Sequence, residues 1–350
     1  MVASSLTSVV IGCGMISEQH LKFISASPAV DLVGVCDLSP ARAAWTAERF
    51  DTTAFTDHRE MLAAAEPQTV HVLTPPVTHV ALALDALDAG AHVVVEKPAA
   101  SSAPELRDLL AHATTRGLIV VENQNYRFND GVLRLREAIG RGDLGEVVGL
   151  DVAIALDLTM SPFADSHAGN PVGHLAGGAV RDLLPHQVGL AVHLLDGPYR
   201  AGGAAWANRS GIDELVADEL DGSFELGSAR VRVSFSSAAH PERFRVEARG
   251  TRGSMTVDLW QPSAFLAIPR GPAQLTGVVN QLVEGASLAR AAFVNLYDKL
   301  RDRGPYHGVP RLLDGFYAAA AGLDGAPVSA DDMMRTARIV DDLAIEAPTR

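Results

Sequence analysis

Through the first third of the chain, apolar residues gather in short runs separated by longer stretches with helical spacing. The runs at 8–11, 32–36, 69–73, 92–95 and 118–121 are near-continuous, the pattern of strands covered on both faces in a parallel sheet. Between them, residues near 17–25, 40–50, 59–65, 77–89 and 103–116 read as helices, and Gly90 and Gly117 stand where a helix C-terminus favours glycine. Such strand–helix alternation predicts a doubly wound α/β domain. Beyond about residue 145 the pattern changes. Residues 147–158 form a long strand candidate, while 231–235 and 244–248 alternate apolar and polar side chains. That predicts a sheet with one covered face, the other facing water or a second subunit. Helical spacing near 274–303, 309–321 and 330–345 closes the chain. The expectation is a Rossmann-type doubly wound parallel sheet over residues 1–128, followed by an α+β domain over 129–350 with a large, mainly antiparallel, open-faced sheet.

Composition narrows the classes. The 350 residues suffice for two sizeable cores, and 47% hydrophobic with 20% charged residues is ordinary for a soluble globular protein. A net charge of −13 argues against nucleic acid or an anionic membrane as partner. Cys13 and Cys36 cannot build a disulfide framework, and no Cys/His cluster has zinc-like spacing. The N-terminus lacks the features of an export signal and no apolar run is long enough to span a bilayer, so a cytoplasmic protein is expected. The stripe Leu282, Leu288, Phe293, Leu296 and Leu300 reads as core or subunit contact.

Two stretches carry chemistry. The run 9–11 leads into Gly12-Cys13-Gly14-Met15-Ile16-Ser17, a strand, a Gly-x-Gly loop and a helix. Gly12 permits the tight turn, Gly14 lets the backbone approach a pyrophosphate, and the helix N-terminus attracts it. Asp37 ends the second strand, where a carboxylate binds the adenosine ribose hydroxyls and repels a 2′-phosphate. This order predicts a dinucleotide site that takes NAD in preference to NADP, a preference that nearby Arg42 tempers. The second stretch is Glu96-Lys97-Pro98. Lys97 is one of only three lysines among 29 Lys+Arg, and unlike Arg an ammonium can exchange a proton. A surface lysine at a strand end is the alternative.

With these, Thr74-Pro75-Pro76-Val77-Thr78-His79, Tyr126-Arg127-Phe128, 142–147 and Gly177-Gly178 followed by Asp182 and His186, the chain resembles the glucose–fructose oxidoreductase/inositol dehydrogenase/rhizopine-catabolism (Gfo/Idh/MocA) family. The resemblance implies that Lys97 contacts both cofactor and reacting hydroxyl, that Asp182 is the acid and His186 the proton-transferring histidine. It implies that Gly12, Cys13, Gly14, Met15, Ile16, Asp37, Thr74, Pro75, His79, Glu96 and Lys97 line the cofactor, and that Lys97–Pro98 is a cis bond. Pro76 and Gly189 depart from the family pattern, and 159–175 is unusual, with His167, Asn170 and His174.

The expected activity is hydride transfer between NAD(P) and a secondary hydroxyl or carbonyl of a sugar, sugar derivative or cyclitol. Alternatives are transient redox in an epimerase or lyase with bound NAD, and a dinucleotide-sensing regulator without turnover. Oxidation of a secondary alcohol needs a base and a stabiliser for the developing alkoxide, which suits His186 and Lys97. Because proline is tolerated in a helix's first turn, Pro185 predicts a helix beginning near Asp182, with the dipole helping to keep His186 neutral. Asp182 as an N-cap and His186 as a partly buried histidine are the alternatives. Substrate contacts are expected from Lys97, Arg127, Asp157 and His186, with structural ion pairing open for Arg127 and sheet pairing for Asp157. His167 and His174 read as lid contacts or solvated residues, and no metal is expected. A homodimer or homotetramer is expected from the open sheet face.

Overall fold

The N-terminal apolar runs become β1 (Leu6–Ile11), β2 (Val30–Cys36), β3 (Ala54–Phe55), β4 (Thr69–Val72), β5 (His92–Val95) and β6 (Val120–Glu122). Between them lie α1 (Ser17–Ala26), α2 (Pro40–Phe50), α3 (His58–Ala65), α4 (His79–Asp88) and α5 (Ala103–Thr115). They are seen in a computed structural model that describes residues 5–159, 175–270, 272–300 and 307–349. All six strands are parallel, in the order β3-β2-β1-β4-β5-β6. Val9, Val10, Val70, Val72, Val93, Val94 and Val95 are all 0% exposed, as continuously apolar strands must be under helices on both faces. Ser39, Asp57 and Ser102 cap α2, α3 and α5 by accepting backbone N–H bonds, and Pro40 occupies the first turn of α2.

The chain continues through α6 (Asp130–Gly140), β7 (Val147–Ala155), α7 (Gly178–Leu194), β8 (Tyr199–Ala207), β9 (Glu219–Leu226), β10 (Ala229–Ser236), β11 (Arg243–Gly250), β12 (Ser254–Asp258) and β13 (Ser263–Ala267). Helices α8 (Ala273–Leu300), α9 (Gly308–Ala320) and α10 (Ala330–Leu343) follow. The second sheet runs β13-β12-β11-β7-β10-β9-β8 and is antiparallel except where β10 pairs with β7. Its strands alternate buried and exposed positions, most clearly in β9, β10 and β11. Leu220, Phe224, Val231, Val233, Phe235, Phe244 and Val246 belong to a core that also includes Val180, Leu184 and Val188 of α7. Gln187 of α7 donates to the Val152 and Ser234 carbonyls, pinning the helix to the sheet. The opposite face is open and charged, with cross-strand pairs Arg232–Asp221 at 2.6 Å and Arg249–Asp151. The apolar stripe of α8 is exposed at Leu282, Leu288, Phe293 and Leu296, so it is not part of this chain's core.

Two units result: Met1–Asn125 with Val309–Ala337, and Tyr126–Gly308 with Arg338–Arg350. This division differs from a single crossing at 128/129, because α9 and the first turns of α10 return to the first unit. There Leu312, Leu313 and Phe316 are 0% exposed, and Tyr317 bonds to Ser8 of β1 and His71 of β4. An amphipathic helix carries no mark of which core it will join, so only the fold reveals the return.

Burial lowers the pKa of His20 in the first unit and of His193 in the second, each to about 3; Arg127 and Arg136 add to the effect at His193. The folded values lie below the ordinary value of about 6.5, so the unfolded chain binds more protons between these limits and stability falls as pH falls through that window. Each such histidine is expected to remove on the order of 1 kcal/mol of stability per pH unit below about 6.5. Denaturant unfolding at several pH values checks this, and His193→Gln should flatten the slope by about one histidine's share.

Candidate active site

The residues selected from the sequence form one group in the first unit and another in the second. In the first, Gly12 has φ +96°, and a Cβ there would lie 2.6 Å from the Leu73 carbonyl oxygen. Its N–H bonds the Cys36 carbonyl at 2.8 Å. The next amide, of Cys13, donates to Asp37 Oδ2 at 3.0 Å, while Ser39 N–H donates to Oδ1 at 2.9 Å. Arg42 Nη1 lies 3.5 Å from Oδ2. Asp37 is therefore fixed at the end of β2, beside the glycine loop. A Cβ on Gly14 would meet nothing within 4 Å, and Met15 is 86% exposed, so the loop's outer surface is open. Helix α1, entered through Ile16, has no side-chain cap, unlike α2, α3 and α5; its Ser17 and Gln19 amides close turns on the Gly14 and Ile16 carbonyls at 3.1 Å, and its positive end follows the glycine loop directly. These features fit a dinucleotide: an approachable backbone, an uncapped helix and a carboxylate for the ribose. Cys13 contributes backbone only, since its side chain is buried and burial pushes its thiol up to about 11.

Lys97 follows β5 and is half-buried rather than a surface lysine. The Lys97–Pro98 peptide is cis, as the resemblance implied. Three consecutive backbone groups are gripped here. Lys97 N–H donates to Glu96 Oε2 at 3.3 Å, the Pro98 carbonyl lies 2.7 Å from His79 Nδ1, and Ala99 N–H donates to Glu122 Oε2 at 2.7 Å. His79 is 0% exposed and its Nε2 lies 2.6 Å from the Thr74 carbonyl, so its ring sits between the loops after β4 and β5, donating to one carbonyl when neutral and to both only when protonated on both nitrogens. Thr74 and Thr78 share a hydroxyl–hydroxyl bond of 2.7 Å, and Thr78 N–H closes a turn on the Pro75 carbonyl at 3.0 Å. Pro76 opens that turn, where its lack of an N–H is tolerated.

In the second unit, Asp182 and His186 lie one turn apart on α7, Asp182 buried and His186 half-buried. The expected helix start near Asp182 is corrected. Helix α7 begins at Gly178 after a left-handed Gly177 N-cap, and Pro185 lies in its interior. Gly177 and Gly178, at φ +82° and +54°, provide a turn that side chains would obstruct, since a Cβ on Gly178 would lie 2.3 Å from the Leu215 carbonyl. Asp182 is therefore no N-cap, and His186, beyond the first turn, gains little from the helix dipole. The His186 ring instead makes an edge contact with Tyr126 at 4.8 Å between centroids. Tyr126 packs on Phe244 and its hydroxyl accepts a 3.1 Å bond from Trp260 Nε1.

Arg127 is 1% exposed and its charge acts on His193, a placement that favours the structural role over substrate contact. Asp157 accepts bonds from the Thr159 amide and hydroxyl at 2.8 and 2.6 Å, and these hold its carboxyl below the usual range. It forms a local turn rather than a sheet pair. His167, Asn170 and His174 lie outside the described residues. Sequence reasoning missed Glu122, Asn123 and His20. The polar run 122–125, which begins with the last residue of β6, signalled the first two, at the strand end where α/β sites gather. His20 shares the buried face of α1 with Ser17, Leu21 and Ile24.

Among the described residues no helix is long and apolar enough to cross a membrane. The chain matches the family models "Oxidoreductase family, NAD-binding Rossmann fold" over residues 6–124 and "GFO/IDH/MocA C-terminal domain" over residues 132–256. It is 32% identical over 149 residues to D-glucoside 3-dehydrogenase of Escherichia coli K12, a match spanning 42% of each protein. It is 27% identical over 253 residues, 71% of each chain, to dTDP-3,4-didehydro-2,6-dideoxy-alpha-D-glucose 3-reductase of Streptomyces violaceoruber. The WlbA dehydrogenase from Bordetella pertussis, solved with NADH and UDP-GlcNAcA, shares the fold with a TM-score of 0.80 at 18% identity, over 98% of this chain and 95% of that one. With both of its units matched in this way, the chain belongs to the GFO/IDH/MocA family of NAD-binding oxidoreductases.

Proposed function

We propose that this protein transfers a hydride between NAD and a secondary hydroxyl or carbonyl of a sugar, sugar derivative or cyclitol. The observation that carries the reading is the grip on Lys97: three successive backbone groups held by Glu96, His79 and Glu122, with the lysine half-buried beside the dinucleotide loop's sheet edge. So much anchoring around one of three lysines has no evident use in a surface residue. The names of the relatives, a glucoside 3-dehydrogenase and a deoxysugar 3-reductase, supply the substrate class.

In this reading NAD, when bound, accepts or donates the hydride. Lys97 orients the substrate oxygen and stabilises its negative charge as the C–H bond breaks. His186 takes the hydroxyl proton in oxidation and returns it in reduction, its ring oriented by Tyr126. Asp182, one turn earlier on the same helix, favours the imidazolium that forms. Asp37 holds the ribose hydroxyls and disfavours a 2′-phosphate. We also propose a cytoplasmic homodimer or homotetramer, with the charged open face of the second sheet as subunit contact.

Absorbance of NADH measured against a panel of sugars, sugar nucleotides and cyclitols tests the activity. Lys97→Ala should still bind NAD and lose at least about a hundredfold in kcat, the scale of one positioned proton-transfer or charge-stabilising group. Undiminished turnover in that variant would remove the mechanism. Asp37→Ala should weaken NAD binding by roughly tenfold to a hundredfold, the worth of charge-assisted hydrogen bonds, and narrow the preference over NADP. Titration of both cofactors by protein fluorescence reads this out. Light scattering at known concentration decides the assembly, and a monomer at micromolar concentration would contradict it.

A further inference from the structure

Behind Glu96 lies a line of buried polar side chains that the mechanism above does not use. His20 of α1 and His71 of β4 are both 0% exposed, and Tyr317 of α9 is 6% exposed. His20 Nδ1 lies 2.8 Å from His71 Nδ1, His71 Nε2 lies 2.7 Å from the Tyr317 hydroxyl, and that hydroxyl lies 3.0 Å from Ser8 Oγ. At the other end Asn123 Nδ2 lies 3.2 Å from His20 Nε2 and also donates to Glu96 Oε1. Glu96 in turn accepts the Lys97 amide through Oε2.

The donor count gives this line a direction. An amide nitrogen carries two hydrogens and accepts nothing. One goes to the Glu96 carboxylate, which fixes the amide's orientation, because the flipped amide would set oxygen against oxygen. The other goes to His20 Nε2, which must then be bare. A neutral His20 carries its proton on Nδ1 and donates to His71 Nδ1, so the His71 proton sits on Nε2 and is donated to Tyr317. Burial lowers the pKa of both rings, which keeps them neutral at physiological pH. With the opposite tautomers, His20 would direct an N–H at Asn123, and the amide would have to turn its oxygen toward Glu96.

We infer that His20, His71 and Tyr317 form a one-directional hydrogen-bond wire that holds Asn123 as a donor to Glu96, making them positioning residues for the Glu96–Lys97 segment. Its bearing on catalysis rests on the role proposed for Lys97; the tautomers do not. Bonds from α9, β4, α1 and the residue after β6 then link in one line to the residue before the lysine, a burial of polar groups that a plain apolar core would not need.

The test pairs spectroscopy with kinetics. In protein labelled with ¹⁵N-histidine, long-range ¹H–¹⁵N correlation at neutral pH should show His20 protonated on Nδ1 and His71 on Nε2, with or without NAD. The opposite tautomers, or a charged ring, would overturn the wire even if the enzyme is active. Tyr317→Phe keeps the shape and removes the acceptor for His71. It should disturb the His71 tautomer and lower kcat about tenfold, the worth of one buried hydrogen bond, while the Kd for NAD stays within about twofold. Asn123→Asp, which replaces the donor by an acceptor at constant volume, should lose at least as much and covers the case in which Tyr317→Phe unfolds. Wild-type kcat in either folded variant would overturn the positioning role. If Lys97→Ala is also fully active, the function reading fails, and the tautomers alone then judge the wire.

Discussion

The first unit depends on the absence of a side chain at Gly12. There β1, β2 and β4 end so close together that a Cβ would lie 2.6 Å from the Leu73 carbonyl oxygen. This closeness lets each chain leaving the sheet bond back to its neighbour. Gly12 N–H reaches the Cys36 carbonyl at 2.8 Å, Leu73 the Ile11 carbonyl at 2.8 Å, Glu96 the Val72 carbonyl at 2.9 Å and Asn123 the Val95 carbonyl at 2.8 Å. The four loops thus start from one line along the carboxyl edge of the sheet. Asp37, Thr74, Lys97 and Asn123 stand along that edge in the order of the strands they follow, β2, β4, β5 and β6, which brings residues far apart in sequence to the edge where α/β sheets bind their ligands.

Beyond that line, the loops are held chiefly by side chains on backbone groups. His79 faces two carbonyls, Glu122 takes the Ala99 amide, Asp37 takes the amides of Cys13 and Ser39, and Glu96 that of Lys97. A loop held only by apolar contacts would keep room to shift, whereas each of these bonds is directional and, being buried or half-buried, is costly to leave unmade. The loops at this edge are therefore held by directional bonds and not by packing alone.

This explains what could be read from the chain alone. Continuous apolar runs followed by glycine and acidic residues encode the parallel sheet and the place of Asp37, because both are local patterns. The second sheet was legible in the long run of β7 and where alternation is clean, as in β10 and β11. Strand β8 carries Gly202-Gly203 and four alanines, and β13 is half-buried throughout, so neither displays a two-residue period, while β9 alternates with Gly222 in place of an apolar side chain. Pro185 misled for a related reason. Proline in the first turn is the local rule, but here close packing of Gly177 and Gly178 against Trp206 and Leu215 starts the helix earlier, and tertiary contacts outweigh the missing N–H. The return of α9 rests on pairings of Tyr317 with His71 and Ser8 across 246 and 309 residues, and His20 meets His71 across 51, all beyond any local pattern.

The rarity of lysine gains a physical meaning from this anchoring. Arginine would bring its charge on a planar fork, well suited to the cross-strand pairs of the second sheet. Lysine offers a compact point charge on a stem with four rotatable bonds and a correspondingly large rotamer entropy. Fixing the backbone at Lys97, Pro98 and Ala99 confines where that stem begins and leaves only its own rotamers to be selected by cofactor and substrate. The anchors on both sides of the side chain thus do what rigidity within the lysine cannot. In the role proposed for Lys97, they reduce the freedom to be lost on binding while leaving the ammonium mobile enough to follow an oxygen that gains charge.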